Sequence, residues 1–144
     1  MAKWNKNTFI KETKHVCLSH VSNILIELIK FAELDADSVD WGRGNGYGTM
    51  TYKCKTDDYG LLPLFYITTN GQIKFSINFL RSKINQKEII KDYQLKLESN
   101  FLMDFDQRDY PSDLFHPLEE LFSVRSEVNK FIHTIRGISA RLHQ

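Results

Sequence analysis

The chain has few of the residues that announce a chemistry. Of its 144 residues only two are cysteines, Cys17 and Cys54. They form no CxxC pair and no metal-ligand spacing, so reduced thiols in a cytoplasmic chain are expected. No run of about 18 apolar residues occurs, so no spanning helix and no membrane partner are expected. The start, MAKWNKNTFIKETK, is basic but lacks the apolar stretch of a signal peptide. Net charge is small: 19 basic and 18 acidic side chains leave +1, which argues neither for nor against a polyanionic partner. Repeats and low-complexity segments are absent.

What is present is an ordinary globular composition, 42% hydrophobic and 26% charged, enough for one domain over 1–144 with a real core. From about Thr8, a plausible N-cap, to Ala32 the pattern is helical, with Val21, Ile24, Leu25, Leu28, Ile29 and Ala32 on one stripe. The period then changes to two. TMTYKCK points Met50, Tyr52 and Cys54 one way and Thr49, Thr51, Lys53 and Lys55 the other. LLPLFYIT is apolar on both faces, as in a central strand, with Pro63 marking a bulge or strand start. After the Asn70-Gly71 turn, QIKFSINF alternates Ile73, Phe75, Ile77 and Phe79 against Gln72, Lys74, Ser76 and Asn78. A short strand at Val39–Trp41 is a candidate opener. Helix returns over about Gln86–Glu98. FLMDFD reads as a short extended piece, DYPSDLFHPLEELF as a short helix with Pro117 early in it, and Ser126–Leu142 as the last helix. The pattern predicts an α+β fold: a three- to four-stranded antiparallel meander packed with an N-terminal helix and two or three C-terminal helices.

Four of the seven glycines fall in WGRGNGYG, residues 41–48. A dinucleotide loop needs GxGxxG between a strand and a helix. Here the third glycine would have to stand at Tyr47 or Thr49, and a strand follows. No Walker lysine occurs. The octet therefore reads as a tight loop, a hinge between the first helix and the sheet, displaying Trp41, Arg43, Asn45 and Tyr47.

Other chemistries fare no better. Asp58 with Gln72-Ile73-Lys74 matches the text of a nuclease motif, but a strand of about eight residues, roughly 26 Å, separates them. Asp104, Asp106, Asp109 and Asp113 miss the EF-hand pattern at Arg108, Asp109 and Phe115; a solvated loop capped by Ser112 or Asp113 is expected. His15 and His20 are five apart rather than four, and His116, His133 and His143 have no paired acid or cysteine nearby in sequence. A nucleophilic Cys17 or Cys54 would need a distant histidine. The chain is thus expected not to be an enzyme and to hold no cofactor and no metal.

Surface remains. The polar sheet face is expected to carry Lys53, Lys55, Lys74, Gln72 and Asn78 beside Tyr66, Phe65 or both, the side-chain types that single-stranded nucleic acid recognition uses; lysines on a solvated sheet also guard its edges. Lys3, Lys6, Lys11 and Lys14 at the start, and Arg125, Lys130, Arg136 and Arg141 at the end, make one patch only if the fold brings them to Arg43.

The runs VDWGRGNGYGTMTYK, LLPLFYITTNGQIKFSINFL and DYPSDLFHPLEEL, over roughly residues 24–135, together resemble an uncharacterised bacterial α+β domain with a WG(R/K)G loop. That domain often lies C-terminal to nuclease-like or restriction-linked domains. The resemblance implies an accessory role in target or partner binding and carries over no catalytic residues. The expected function is a non-catalytic binding module, for nucleic acid or for a nucleic-acid enzyme. The alternative is a protein-interaction module or homo-dimer using Trp41 and the doubly apolar strand, and the third reading is a hydrolase with a site near the octet.

Overall fold

A computed structural model describes residues 3–44, 46–103, 105 and 112–143. Two helices, α1 (Lys6–Val16) and α2 (Ser19–Asp35), lead into β1 (Ser38–Trp41), β2 (Thr49–Thr56), β3 (Gly60–Thr68) and β4 (Gln72–Phe75). Then come α3 (Ile77–Lys83), α4 (Lys87–Phe101), β5 (Phe115–Pro117), α5 (Leu118–Leu121) and α6 (Arg125–Leu142). The class is α+β as expected, but the antiparallel sheet has five strands in sequential order rather than three or four.

The single N-terminal helix predicted from Thr8 is two helices. Asn5, not Thr8, is the N-cap: the Thr8 N–H donates to Asn5 Oδ1 at 2.9 Å and the Asn5 N–H returns to Thr8 Oγ1 at 3.0 Å, a reciprocal capping box. The helix stops at Cys17 and Leu18, both extended, with neither proline nor glycine present. Tertiary contact decides the break: Cys17 Sγ and Thr13 Oγ1 both donate to the Thr69 carbonyl, at 3.2 and 3.4 Å, on the β3–β4 turn. Beyond it α2 buries Val21, Leu25, Leu28, Ile29 and Ala32, the predicted stripe, and leaves Ile24 half-buried.

The β2–β3 register shifts between Tyr52 and Lys53, which pair with Phe65 and Pro63. Leu64 is left as the bulge that Pro63 announced. Its carbonyl accepts from Tyr93 Oη of α4 at 2.9 Å and from the Ser76 N–H at 3.1 Å. The helices meet one face of the sheet through rings: Phe31 stacks on Tyr52 at 5.3 Å, Tyr52 on Phe65 at 5.2 Å, and Phe65 meets Phe131 of α6 edge-on at 5.0 Å. Each buried ring contributes about 1.5–3 kcal/mol of apolar transfer, and the aromatic chain ties α2, the sheet and α6 into one core.

The predicted strand QIKFSINF ends at Phe75. Ile77 and Leu80 are both fully buried whereas Phe79 is 38% exposed, a helical rather than an alternating pattern. What starts α3 is distant in sequence: the Asp113 carboxylate accepts from the Asn78 N–H at 2.8 Å and the Phe79 N–H at 3.1 Å, capping exposed donors at a helix N-terminus. Asn78 therefore does not belong to the sheet face. At the other end of the chain segment, α4 runs on through Phe101 and Leu102 is left-handed, so FLMDFD is not extended at its first two residues. Pro117 ends β5 and precedes α5 as its N-cap. Among the described residues no helix is long and apolar enough to cross a membrane.

Candidate functional site

The glycine octet is not a hinge after the first helix; it is the β1–β2 connection. The Gly42 N–H still donates to the Thr49 carbonyl at 3.0 Å, extending the ladder. On the outer side of β1 the start of the chain joins it. The Trp4 N–H donates to the Gly42 carbonyl at 2.9 Å, and Lys3 pairs with Arg43 in an antiparallel bridge. The Trp4 indole then turns into the loop, where Nε1 donates to the Gly44 carbonyl at 3.1 Å. A Cβ on Gly48 would lie 2.6 Å from the Trp4 ring, and one on Gly42 2.1 Å from Thr49 Oγ1. Those glycines are present because an indole and a hydroxyl occupy the space of their side chains.

Of the displayed residues, Arg43 is exposed and Tyr47 is 47% exposed. Trp41 is not displayed: it meets Phe9 edge-on at 5.5 Å and packs against the core. The doubly apolar strand β3 is central in the sheet, with Leu64, Phe65 and Ile67 fully buried. Asn45 lies outside the described residues, as do Asp104, Asp106 and Asp109 of the acidic run.

Trp4 also lines a shallow groove with Thr8, Lys11, Glu12, Lys14 and His15 of α1. Lys11, Lys14, Lys3 and Arg43 are exposed and have no carboxylate partner among the described residues. Lys6 differs, holding Glu33 at 2.9 Å. Part of the N-terminal basic cluster thus reaches the octet's arginine, with an indole between them. Trp4 is a site residue absent from the sequence-based candidates, yet it carries a sequence signal of its own. An aromatic directly before the N-cap and Phe9 four residues into the helix stand at the two positions of a hydrophobic staple.

The sheet lysines are more fully occupied. Thr51, Tyr66, Lys74 and Phe115 pair in register across β2, β3, β4 and β5. The Lys74 ammonium sits 4.4 Å from the Tyr66 ring centroid and 4.9 Å from that of Phe115, so both rings already hold a cation. Burial pushes the Tyr66 phenol above its ordinary pKa. Lys53 holds Asp40 at 2.5 Å. Lys55 differs: its main-chain N–H donates to Asp37 Oδ2 at 2.7 Å, while its side chain is exposed and meets no carboxylate among the described residues. Gln72 opens β4 opposite Pro117. On α6, Arg125, Arg136 and Arg141 meet Glu27, Asp35 and Asp92 at 3.9, 2.7 and 3.2 Å.

Two groupings bear on chemistry. Asp57 and Asp58 line a cleft with Tyr59, Glu88 and Arg141. Gln72 and Lys74 are not among its walls, so the nuclease pattern is not assembled there. Elsewhere Asp37, Cys54 and His143 bring one potential ligand atom each within 4.8 Å of one another. Cys54 is fully buried and its thiol lies 3.4 Å from Ser139 Oγ. Burial pushes that thiol's pKa up, which keeps it protonated rather than a nucleophilic thiolate. Burial works against the Asp37 carboxylate too, but the Lys55 N–H and His143 outweigh it and hold its pKa below the usual carboxylate range. No family model, curated protein or solved structure matches the chain.

Proposed function

We propose that the chain is a non-catalytic module that binds single-stranded nucleic acid at the corner built from Trp4, Arg43, Lys3, Lys11 and Lys14. The observation that carries this reading is the gathering of unpaired cations about one half-buried indole. Lys3 and Arg43 stand directly opposite each other, a like-charge pair that a phosphate between them would relieve. Lysine and arginine supply affinity by neutralising phosphates and releasing counterions. Aromatic rings add sequence-tolerant stacking worth about 1–3 kcal/mol per base. Tyr47, nearly half exposed in the same loop, offers a second ring. Glu12 is the carboxylate in the groove wall, and it favours a single track along the lysines over a uniformly positive surface. The sheet face is secondary in this reading, because Lys53 and Lys74 already have partners.

The likeness of the Trp41–Gly48 loop to an accessory bacterial domain supports the same setting, a cytoplasmic partner to a nucleic-acid enzyme. The test is electrophoretic mobility shift with single- and double-stranded DNA and RNA. A shift at low salt that favours single strands is expected. Absence of any shift at low salt, where phosphate contacts are strongest, overturns the proposal.

A further inference from the structure

The Asp37, Cys54 and His143 cluster belongs to no part of the basic corner. Asp37 lies between α2 and β1, Cys54 in β2 and His143 at the C-cap of α6. Three elements far apart in sequence thus deliver a carboxylate, a thiol and an imidazole to one point. Asp37 Oδ2 and His143 Nε2 are 2.6 Å apart, and Cys54 Sγ lies within 4.8 Å of the ligand atoms of both. We propose that this cluster is a binding site for a divalent cation of the zinc class.

The argument begins with geometry. Tetrahedral zinc with Zn–S of about 2.3 Å and Zn–N or Zn–O of about 2.0–2.1 Å sets its S···N separation near 3.6 Å and its N···O separation near 3.3 Å. The carboxylate and imidazole would open by under about 1 Å from their present hydrogen bond to admit the ion. Both are partly exposed side chains and can make that movement, whereas Cys54 is fixed in the core. The donor set agrees. A thiolate and an imidazole select zinc-class ions over magnesium or calcium, which take oxygen. A thiolate and a carboxylate together balance a double positive charge, and the thiol proton leaves to water as the S–metal bond forms.

The surroundings support the ligands as well. The Lys55 main-chain N–H holds Asp37 Oδ2 at 2.7 Å, and the main-chain N–H of His143 closes the end of α6 on the Ser139 carbonyl at 3.0 Å. The first contact orients a ligating carboxylate and tunes its basicity, and the second fixes the backbone from which the imidazole projects. Three protein ligands leave the fourth tetrahedral position to water. The ion would add a further tie between the end of α6, β2 and the α2–β1 connection, which already meet through the His143–Asp37 contact, the Lys55 N–H on Asp37 and the Cys54–Ser139 contact.

The test is titration of the reduced full chain with Co²⁺, followed by competition with Zn²⁺. A saturable one-to-one thiolate-to-cobalt charge-transfer band, displaced by Zn²⁺, is expected. Cys54→Ser should remove the band while Cys17→Ser keeps it. His143→Gln and Asp37→Asn, at partly exposed positions, should weaken Co²⁺ at least about tenfold with circular dichroism unchanged. If Cys54→Ser fails to fold, the His143→Gln affinity decides. No saturable band in the folded wild type, a band lost in Cys17→Ser, or His143→Gln affinity equal to wild type overturns the site.

Discussion

The N-terminal corner and the arginines of the last helix carry the same kind of charge and treat it in opposite ways, while Lys130 of that helix stays exposed and unpaired among the described residues. Along α6, Arg125, Arg136 and Arg141 each meet a carboxylate of another helix. Around Trp4, the side chains of Lys3, Lys11, Lys14 and Arg43 meet none among the described residues. A net charge of +1 conceals this division. Exposed ion pairs contribute only about 0.2–1 kcal/mol each to stability; their larger consequence is that a paired cation no longer attracts a distant phosphate. Among the described residues, unpaired lysines also occur singly elsewhere, at Lys55 and Lys130 among others, but the corner gathers Lys3, Lys11, Lys14 and Arg43 about one indole.

Breaking that contrast should give the largest effect. Reversing Lys11, Lys14 and Arg43 to Glu together is expected to weaken a single-stranded oligonucleotide at least about thirtyfold, about 2 kcal/mol. Changing Arg125, Arg136 and Arg141 to Gln should alter affinity by less than about twofold. Fluorescence anisotropy at fixed salt reads both; equal losses would erase the difference between the regions.

Next in size is the scaffold of the corner. Gly48→Ala drives a methyl group into the Trp4 ring and should cost about 1–3 kcal/mol of stability. Gly46→Ala meets nothing within 4 Å and should stay within about 0.5 kcal/mol. Urea denaturation of the two variants checks this, and a harmless Gly48→Ala would mean that the indole does not sit in the loop.

The glycine spacing of the loop is a local signal, whereas its role as a seat for Trp4 depends on a residue 40 positions away from Gly44. The octet's failure as a phosphate motif was legible from spacing alone, as were the α2 stripe and the two central strands, because period and composition are local. The break at Cys17 was not, since its cause is Thr69, and neither was the end of β4, since its cause is Asp113. QIKFSINF satisfies alternation through Phe79, but Ile77 and Leu80 also satisfy a helical step, and the distant carboxylate decided between them. Trp4 was legible in principle through its staple with Phe9. Asp37, Cys54 and His143 were not, because nothing near any of the three in sequence marks the other two.

Smaller effects sharpen the contrast. Arg136→Ala removes a pair with Asp35 and a contact 5.6 Å from the Phe31 ring centroid. It should lower stability by under about 1 kcal/mol and leave oligonucleotide affinity unchanged, as paired denaturation and anisotropy measurements would show. Last is acid. His116 lies beside Phe75 and Phe105, and burial lowers its pKa. The unfolded chain therefore binds the proton more readily, and the His116 contribution, present above the unfolded value of about 6.5, is lost as pH falls through the folded one. Replacing His116 with Gln should flatten the stability profile below that pH in thermal melts at stepped pH; an unchanged profile would remove His116 as a source of acid sensitivity.

The most direct measurement is the salt dependence of wild-type affinity for a single-stranded oligonucleotide. Four phosphate contacts, from Lys3, Lys11, Lys14 and Arg43, predict that log affinity falls with log salt at a slope of about −3. That slope should persist in the Arg125, Arg136 and Arg141 variant and shrink when the corner is neutralised. Binding that does not respond to salt, or no binding at the lowest salt, would contradict the account.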